Sequence, residues 1–289
     1  MLTLPFLGRR PLIMGIVNVT PDSFSGDGLA LRGFDAVLAQ ATRFWDEGAD
    51  ILDIGGESSR PGATPVSAEN EIKRVVPVIR ALHKQRPDRP LSVDTTKPAV
   101  AAAALEAGAV VVNDTSGGRD SALALLAVRA GAYLVVMHTR ARRNSVTTHA
   151  TLGGAYEASP DPDITRTVCT WFEEAKTQAR AAGLAVGSSP EDPAGRLILD
   201  PGLGFGKTTE DNLCLLRDTP KLRAAGCPLM VGPSRKHFIG QILGTPANDR
   251  LEGSAAAVAA AALGGADIVR VHDVRFMARL VRMTTAIRG

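Results

Sequence analysis

The sequence predicts an α/β fold, specifically a single (β/α)8 TIM barrel formed by residues 1–289. Eight apolar runs can be read, and each ends in polar or small residues, as strands do when both faces are buried. Helix-like segments lie between the runs, which indicates parallel strands. The length also suits this barrel, which typically needs about 250 residues. A doubly wound open sheet is the alternative.

The apolar runs lie at residues 12–19, 50–56, 91–95, 110–114, 133–138, 197–200, 229–232 and 268–273. The run at 197–200 is the clearest, because Asp200, Pro201 and Gly202 end it abruptly. Pro and Gly terminate a strand and allow the backbone to turn tightly. Asp200 should therefore lie at the carboxyl end of a buried strand.

Helix-like segments separate these runs. They cover residues 34–48, a segment opening at Ser67, and residues 97–108, 121–131, 164–183, 210–226, 251–265 and 277–287. Ser67 is a candidate N-cap, and several segments end in Gly, as helices often do. The connection at 139–162 is long and has no clear periodicity. Connections of this kind are uncommon unless they are lids, binding loops or disordered segments.

The composition excludes several classes of protein. The net charge is only +3 and aromatic residues make up 4%, so we expect no nucleic-acid partner. No apolar run reaches the roughly 18 residues that suggest a membrane span, and the first residues lack the basic start of a signal peptide. Three cysteines without a C-x-x-C motif indicate reduced thiols. We therefore expect a cytoplasmic protein with no membrane partner.

Polar residues at the predicted strand ends form an acidic, amide-bearing group. Asp94, Asn113 and Asp200 end three different strands. All strand ends of the barrel open at one face, where such barrels carry their active sites. Carboxylates and an amide can together read a heterocycle with alternating hydrogen-bond donors and acceptors. Asp94 could instead cap the next helix, because Asp is a good N-cap.

A second, basic group follows the last two predicted strands. It consists of Ser234, Lys236, Arg270 and His272. The loops after strands seven and eight form the habitual phosphate site of this fold. Arg60, before a rigid Pro, can offer a planar fork to an anion or can simply be solvated. A heterocycle carrying a diphosphate fits both halves of the predicted site.

The order of these motifs resembles the dihydropteroate synthase family of the folate pathway. The matching segments are MGIVNVTPDSFS at 14–25, DIGGESSRPG at 53–62, SVDT at 92–95, NDTSGG at 113–118, DPGLGFGK at 200–207, SRK at 234–236 and RVHDV at 270–274. Each is weak alone, but seven in register are highly specific. After His138 the chain departs from the family, which commonly has Met-x-Gly-x-Pro, whereas residues 139–144 read TRARRN.

The resemblance implies a reaction and a set of site residues. The family joins 4-aminobenzoate to a dihydropterin methyl diphosphate, with Mg²⁺, and is usually a homodimer. The implied pterin-binding residues are Asp94, Asn113, Met137, Asp200, Phe205, Gly232 and Lys236. The implied diphosphate-binding residues are Asn18, Arg60, Arg270 and His272, with Asn18 also the metal ligand. The implied aminobenzoate-binding residues are Ser59, Arg60, Pro61, Ser234 and Lys236, and the implied catalytic residues are Asp94, Asp200, Lys236 and Arg270.

Two other functions are compatible with a pterin-binding barrel. One is a methyltransferase barrel that carries methyltetrahydrofolate, which would share the ring-reading acids but would not need Arg60 or the basic end of strand eight. The other is a weakly active or non-catalytic pterin-binding paralogue, for which the altered segment after His138 is the support.

Overall fold

The computed structural model describes residues 4, 10–19, 30–58, 62–142, 145–189, 192 and 194–289. The strands are β1 (Leu12–Asn18), β2 (Ile51–Gly55), β3 (Leu91–Asp94), β4 (Val111–Asp114), β5 (Tyr133–Met137), β6 (Val146–His149), β7 (Gly153–Tyr156), β8 (Leu197–Asp200), β9 (Met230–Val231) and β10 (Ile268–Val271). All except β6 and β7 belong to one parallel sheet.

Helices follow the strands of this sheet. They are α1 (Ala30–Asp46), α2 (Ala68–Gln85), α3 (Pro98–Glu106), α4 (Ser121–Ala130), α5 (Ile164–Ala181), α6 (Thr209–Arg217), α7 (Thr219–Arg223), α8 (His237–Leu243), α9 (Leu251–Leu263) and α10 (Val274–Arg288). Ser67 is the N-cap of α2 and accepts a hydrogen bond from the amide of Asn70, as the sequence predicted.

The sheet closes into a barrel. Its strand order is β8-β5-β4-β3-β2-β1-β10-β9, and neighbouring strands are parallel. Leu199 of β8 forms a parallel bridge to Leu229, directly before β9, so the two edge strands meet. The predicted (β/α)8 barrel is confirmed, and the open doubly wound sheet is wrong. Closure brings every strand end to the same mouth.

Alternate strand residues point into the barrel, and their chemistry changes along its axis. An apolar interior cluster contains Leu12, Met14, Ile51, Val111, Tyr133, Val135, Ile198, Met230 and Ile268. Two residues further along their strands, the inward positions include Asp53, Asn113, Asp200 and Arg270. The barrel is therefore a packed apolar core below and a polar site at the carboxyl ends.

One predicted helix is divided in two. Residues 210–226 were expected to form a single helix, but α6 ends at Arg217 and α7 begins at Thr219. Pro220 lacks an amide hydrogen and cannot continue an α-helix from its interior, but it is accommodated in the first turn of α7. The short helix α8 was not predicted, because seven residues are too few for a clear periodicity.

The long connection after β5 contains an antiparallel hairpin, which the sequence did not predict. Strands β6 and β7 pair from Val146 opposite Tyr156 to His149 opposite Gly153. The His149 Nδ1 atom accepts the amide hydrogens of Thr151 and Leu152, each at 3.2 Å, and so closes the turn. Short exposed strands with two glycines give little alternation of apolar and polar residues, so the pattern was not visible.

Over the described ranges, every helix is too short or too polar to span a lipid bilayer.

Candidate active site

An inner pocket opens at the carboxyl ends of the strands. It is lined by Asn113, Thr115, Met137, Asp200, Gly202, Leu203, Phe205, Met230, Gly232, Lys236 and Arg270. Five different strands, or the loops that follow them, contribute these residues. The pocket includes six of the seven residues expected to contact a pterin. The seventh, Asp94, lines the adjoining cleft and contacts Arg270.

Buried carboxylates and one guanidinium form a connected network beneath this pocket. Arg270 donates from Nε to Asp53 Oδ2 at 2.6 Å and from Nη2 to Asp94 Oδ2 at 2.7 Å. Asn113 Nδ2 donates to the same Asp53 oxygen at 2.9 Å. Asp53 is fully buried, so its charge requires these partners. The network fixes the orientation of Arg270, Asp94 and Asn113 before any ligand binds.

The Asn113 side chain turns its amide nitrogen to Asp53 and leaves its oxygen for the pocket. Asn113 Oδ1 is buried and has no hydrogen-bond partner among the described residues. A buried acceptor of this kind costs about 1–3 kcal/mol unless a donor satisfies it. Asn113 is therefore suited to accept a hydrogen bond from a ligand N–H group.

Asp94 lies between acidic and basic neighbours. Burial raises the pKa of its carboxyl to about 7, against the lowering effect of Arg270, while the carboxylates of Asp53 and Glu71 raise it further. The alternative role of Asp94 as a helix cap is wrong, because α3 is preceded by Lys97 and has no side-chain cap. Asp94 can instead exchange a proton or a hydrogen bond with a ligand near neutral pH.

Asp200 is held at the end of β8 by a tight turn. Its Oδ1 accepts the amide hydrogen of Gly202 at 2.7 Å. Burial raises the pKa of Asp200, and this hydrogen bond and nearby lysines limit the rise. Gly202 has φ of +66°, and a Cβ atom there would lie 1.9 Å from the carbonyl oxygen of His138. Only glycine therefore permits the turn that presents Asp200 to the pocket.

Lys236 reaches the pocket from the loop between β9 and α8. Its Nζ lies 4.1 Å from the centroid of the Phe205 ring, a cation–π contact. Burial and the charge of Arg270 lower the pKa of Lys236 to about 8, although Asp200 and Asp94 oppose that shift. Lys236 can therefore act as a cation or as a hydrogen-bond donor beside the two carboxylates.

A larger outer cleft adjoins the inner pocket. Asn18, Asp94, Ser234 and His272 line it, and Phe205, Gly232, Lys236 and Arg270 line both spaces. Ser234 Oγ lies 3.1 Å from His272 Nδ1 and accepts the backbone amide hydrogen of His272 at 3.2 Å. These contacts join the loops that follow β9 and β10. The basic half predicted from the sequence thus lies directly beside the acidic half.

Comparisons with known proteins give the family. Residues 14–272 match the model of the pterin binding enzyme family. The chain belongs to that family. It is 42% identical over 282 residues to the dihydropteroate synthase of Synechocystis, covering 97% of this chain and 91% of that protein.

Solved members of the pterin binding enzyme family have the same fold. The Clostridium difficile dihydropteroate synthase crystallised in the presence of pteroic acid has a TM-score of 0.84 and 38% identity, covering 97% of this chain and 98% of that one. The Xanthomonas albilineans dihydropteroate synthase with 4-aminobenzoic acid has a TM-score of 0.83 and 40% identity, covering 97% of this chain and 94% of that one.

The main residue that sequence reasoning missed in this family member is Asp53. It was read only as part of an apolar run and of the matching segment at 53–62, with no role in the site, yet its carboxylate connects Arg270 to Asn113. The signal was available, because an acid in the middle of a buried strand needs a buried partner. The distance of 217 residues between Asp53 and Arg270 hid the identity of that partner.

Some expected site residues lie outside the part of the chain that the structure describes. They are Ser59, Arg60 and Pro61, together with residues 20–25 of the matching segment at 14–25. Their neighbours Glu57, Ser58 and Gly62 line the outer cleft. The roles expected for the three residues stay predictions.

Two other polar residues at strand ends have structural contacts. Asp114 accepts the amide hydrogens of Ser116 and Gly118, at 2.7 and 3.0 Å, and so shapes the turn after β4. The ring of His138 packs edge-on against Trp171 with centroids 5.4 Å apart. Burial and the neighbouring Lys207 lower the pKa of His138 to about 3, so it stays neutral.

Proposed function

We propose that the chain is a dihydropteroate synthase, a transferase that joins 6-hydroxymethyl-7,8-dihydropterin diphosphate to 4-aminobenzoate. The products are 7,8-dihydropteroate, an intermediate of folate synthesis, and diphosphate. The observation that supports this most is that an acidic, amide-bearing pocket and a basic cleft share one mouth and four residues. A flat nitrogenous ring matches the pocket, and its diphosphate tail matches the cleft.

The pterin ring binds in the inner pocket. Its N–H groups donate to the carboxylates of Asp94 and Asp200 and to the amide oxygen of Asn113, while Lys236 donates to a ring acceptor. Met137 and Phe205 contact the faces of the ring, and Gly232 leaves room for its edge. Burial of Asp200 and Asn113 supports this assignment, because buried acceptors gain most from a ligand donor.

The diphosphate binds in the outer cleft. His272, Arg270 and Asn18 line that cleft, and Arg60 lies in the chain between Ser58 and Gly62, which also line it. Cationic and polar donors directed at the departing oxygens lower the barrier, because charge develops there in the transition state. Arg270 also pairs with two carboxylates, so its role is to join the ring site to the leaving-group site.

Mg²⁺ fits the donors of this cleft. Asn18 offers one neutral oxygen ligand beside the region assigned to diphosphate. Mg²⁺ prefers oxygen, keeps several waters and is commonly held by few protein groups together with substrate phosphates. When bound, the ion neutralises part of the diphosphate charge.

The reaction is a dissociative substitution. The bond between the pterin methylene carbon and the diphosphate oxygen breaks, and the oxygen takes the electron pair. The methylene becomes cationic, and its charge spreads into the ring, where Asp94 and Asp200 stabilise it. The lone pair of the 4-aminobenzoate nitrogen then forms the bond to this carbon, and the nitrogen releases one proton to water. An aromatic amine is neutral at pH 7, so positioning rather than a strong base supplies the acceleration.

The 4-aminobenzoate binds at the mouth of the cleft. Ser234 and Lys236 line this region, and Ser59, Arg60 and Pro61 are expected to complete it. With its pKa lowered to about 8, Lys236 is still mainly protonated near neutral pH and can donate a hydrogen bond to the aminobenzoate.

The decisive assay measures diphosphate release and dihydropteroate formation with both substrates. The parent protein should form both products, and Asp200→Asn should weaken binding of the pterin diphosphate by about tenfold or more, because a charge-assisted hydrogen bond is lost. Pterin binding without product would instead support the non-catalytic paralogue. Methyl transfer from methyltetrahydrofolate to a corrinoid protein would support the methyltransferase. Either result would overturn the proposal.

The remaining expectations concern the setting of the enzyme. We propose one domain over residues 1–289, a homodimer formed through barrel helices, and a cytoplasmic location in which the cysteines are reduced. Cys169, Cys214 and Cys227 are free cysteines in the structure.

A further inference from the structure

The hairpin between β5 and α5 forms one side of the outer cleft. Residues 152–156 line it, and we call them the cleft wall. They comprise Leu152, Gly153, Gly154, Ala155 and Tyr156. None of them lines the inner pocket. The cleft wall can therefore contact a second substrate that enters once the pterin occupies the inner pocket, without contacting the pterin ring.

Tyr156 is the aromatic residue of the cleft wall, and Phe205 supports it. The two rings are stacked with centroids 6.0 Å apart and planes 26° from parallel. Such offset stacking is the favoured arrangement of two aromatic rings. Phe205 is also in contact with the ammonium group of Lys236. Tyr156 is thus held next to the polar groups of the site by a ring that belongs to the inner pocket.

Arg250 fixes the turn of the hairpin to the loop that carries Lys236. It is 2% exposed, and its Nη2 donates to the carbonyl oxygen of Leu152 at 3.0 Å. Its Nη1 donates to the carbonyl oxygens of Arg235 and Lys236, at 3.0 and 3.3 Å. A buried guanidinium with several carbonyl acceptors has little freedom to move. One side chain therefore sets the distance between the cleft wall and Lys236.

We propose that the cleft wall determines which aromatic amine the enzyme accepts, with Tyr156 as the ring that contacts it. This inference rests on the proposed function. The amine must approach the methylene carbon from the outer cleft, because the inner pocket holds the pterin. The small side chains of Gly153, Gly154 and Ala155 occupy little of the cleft, and Tyr156 is the one aromatic ring among these five residues. Such a space fits a planar monocyclic ring and disfavours a ring with an added substituent.

The test compares Tyr156→Ala and Tyr156→Phe by steady-state kinetics. Tyr156→Ala should raise the KM for 4-aminobenzoate about fivefold, the effect expected from loss of an aromatic contact, and change kcat less than twofold. Tyr156→Phe should keep the parental KM, because the ring remains. Binding of the pterin diphosphate alone, measured by titration calorimetry, should be unchanged in both. Tyr156→Ala should also reduce the ratio of kcat/KM for 4-aminobenzoate to kcat/KM for 4-amino-3-methylbenzoate.

The matched control is Thr148→Ala, on the same hairpin. Thr148 is exposed, pairs with Gly154 and does not line the cleft, so all kinetic values should be parental. A parental KM and selectivity in Tyr156→Ala, or weaker pterin binding in that variant, would overturn the cleft-wall assignment. If Tyr156→Ala unfolds, Ala155→Val provides the second test and should raise the KM by narrowing the space. Failure of the parent to release diphosphate would instead overturn the proposed function, and this inference with it.

Discussion

Arg235 and Lys236 are adjacent in sequence and have different partners. Arg235 has φ of +58°, in the left-handed region that a non-glycine residue rarely adopts. Its guanidinium pairs with Asp273, at 3.1 Å through Nε and 2.5 Å through Nη2. This pairing and the hydrogen bond from the Arg235 amide to Ser254 Oγ offset part of a backbone cost of about 1–3 kcal/mol. Arg235 therefore lines only the outer cleft, where its guanidinium pairs with Asp273, while Lys236 lines both the cleft and the inner pocket.

The Arg270 side chain supplies the positive charge that pairs with the buried carboxylates of Asp53 and Asp94. Arg270→Ala would leave Asp53 and Asp94 buried without their cation, which typically costs about 3 kcal/mol or more. We therefore expect a lower free energy of unfolding in urea, together with turnover reduced at least a hundredfold. The structure also predicts weaker pterin binding, because Asp94 loses the partner that orients it.

The control for Arg270 is Arg217→Ala. Arg217 pairs with Glu210, but both side chains are exposed, so urea unfolding and turnover should be unchanged. Arg270→Lys should lie between parent and Arg270→Ala, because one ammonium group cannot replace the fork that contacts two carboxylates. Parental stability and turnover in Arg270→Ala would contradict the network described for this site.

At the scale of elements, contacts between loops support the strand end that carries Asp200. The turn after β8 runs through Gly202, Gly204 and Gly206, each with positive φ. The backbone of this turn contacts the connection after β5, where the amide of Arg140 donates to the carbonyl oxygen of Phe205 at 3.2 Å. Lys207 donates to the carbonyl oxygens of His138 and Gly202, at 3.1 and 2.8 Å. Two loops far apart in sequence are thereby joined behind Asp200.

Gly202→Ala should disrupt this turn. The added Cβ would meet the carbonyl oxygen of His138 at 1.9 Å, and backbone must move to relieve that contact. We expect the free energy of unfolding to fall by about 3 kcal/mol, from strain and overpacking together. Pterin affinity should fall as well, because Asp200 accepts a hydrogen bond from Gly202.

Gly244→Ala separates the effect of packing from that of backbone conformation. Gly244 also has positive φ, +71°, but a Cβ there would meet nothing within 4 Å. In Gly244→Ala the free energy of unfolding in urea should fall by only about 1 kcal/mol. Pterin affinity should be unchanged. Equal losses in the two variants would show that the contact with His138 has no part in the effect.

At the scale of the whole molecule, the outer helices leave apolar side chains on the surface. Phe276, Met283 and Ile287 are 45%, 62% and 63% exposed and recur at spacings of seven and four on α10. Residues at such spacings lie on one side of a helix. This stripe is a suitable surface for the homodimer proposed above, because exposed apolar patches often mark interfaces.

Met283→Asp should therefore convert the dimer to a monomer in sedimentation equilibrium experiments. A charge placed at the centre of an apolar interface is desolvated without a partner, which opposes association. Thr285→Asp on the same helix is the control and should leave the mass unchanged. A parent protein that sediments as a monomer would contradict the proposed homodimer.

The sequence predicted most of this architecture because the relevant signals are local. Each strand of the barrel is a short apolar run that ends in polar or small residues, and the end of the run marks the site. Asp94, Asn113 and Asp200 could be identified from their positions alone. The hairpin of β6 and β7 could not, because its glycines and exposed threonines have no periodicity. The break between α6 and α7 could have been found from Pro220.

The sequence by itself thus determined the strands, the helices between them and the polar residues at the mouth, because burial and turn chemistry act over a few residues. The tertiary structure alone decided that Asp53 pairs with Arg270, that Arg270 also pairs with Asp94, and that Tyr156 stacks on Phe205. These partners are 49 to 217 residues apart in the chain. Closure of the barrel brings them into contact, and no local pattern encodes which distant side chain will satisfy a buried charge.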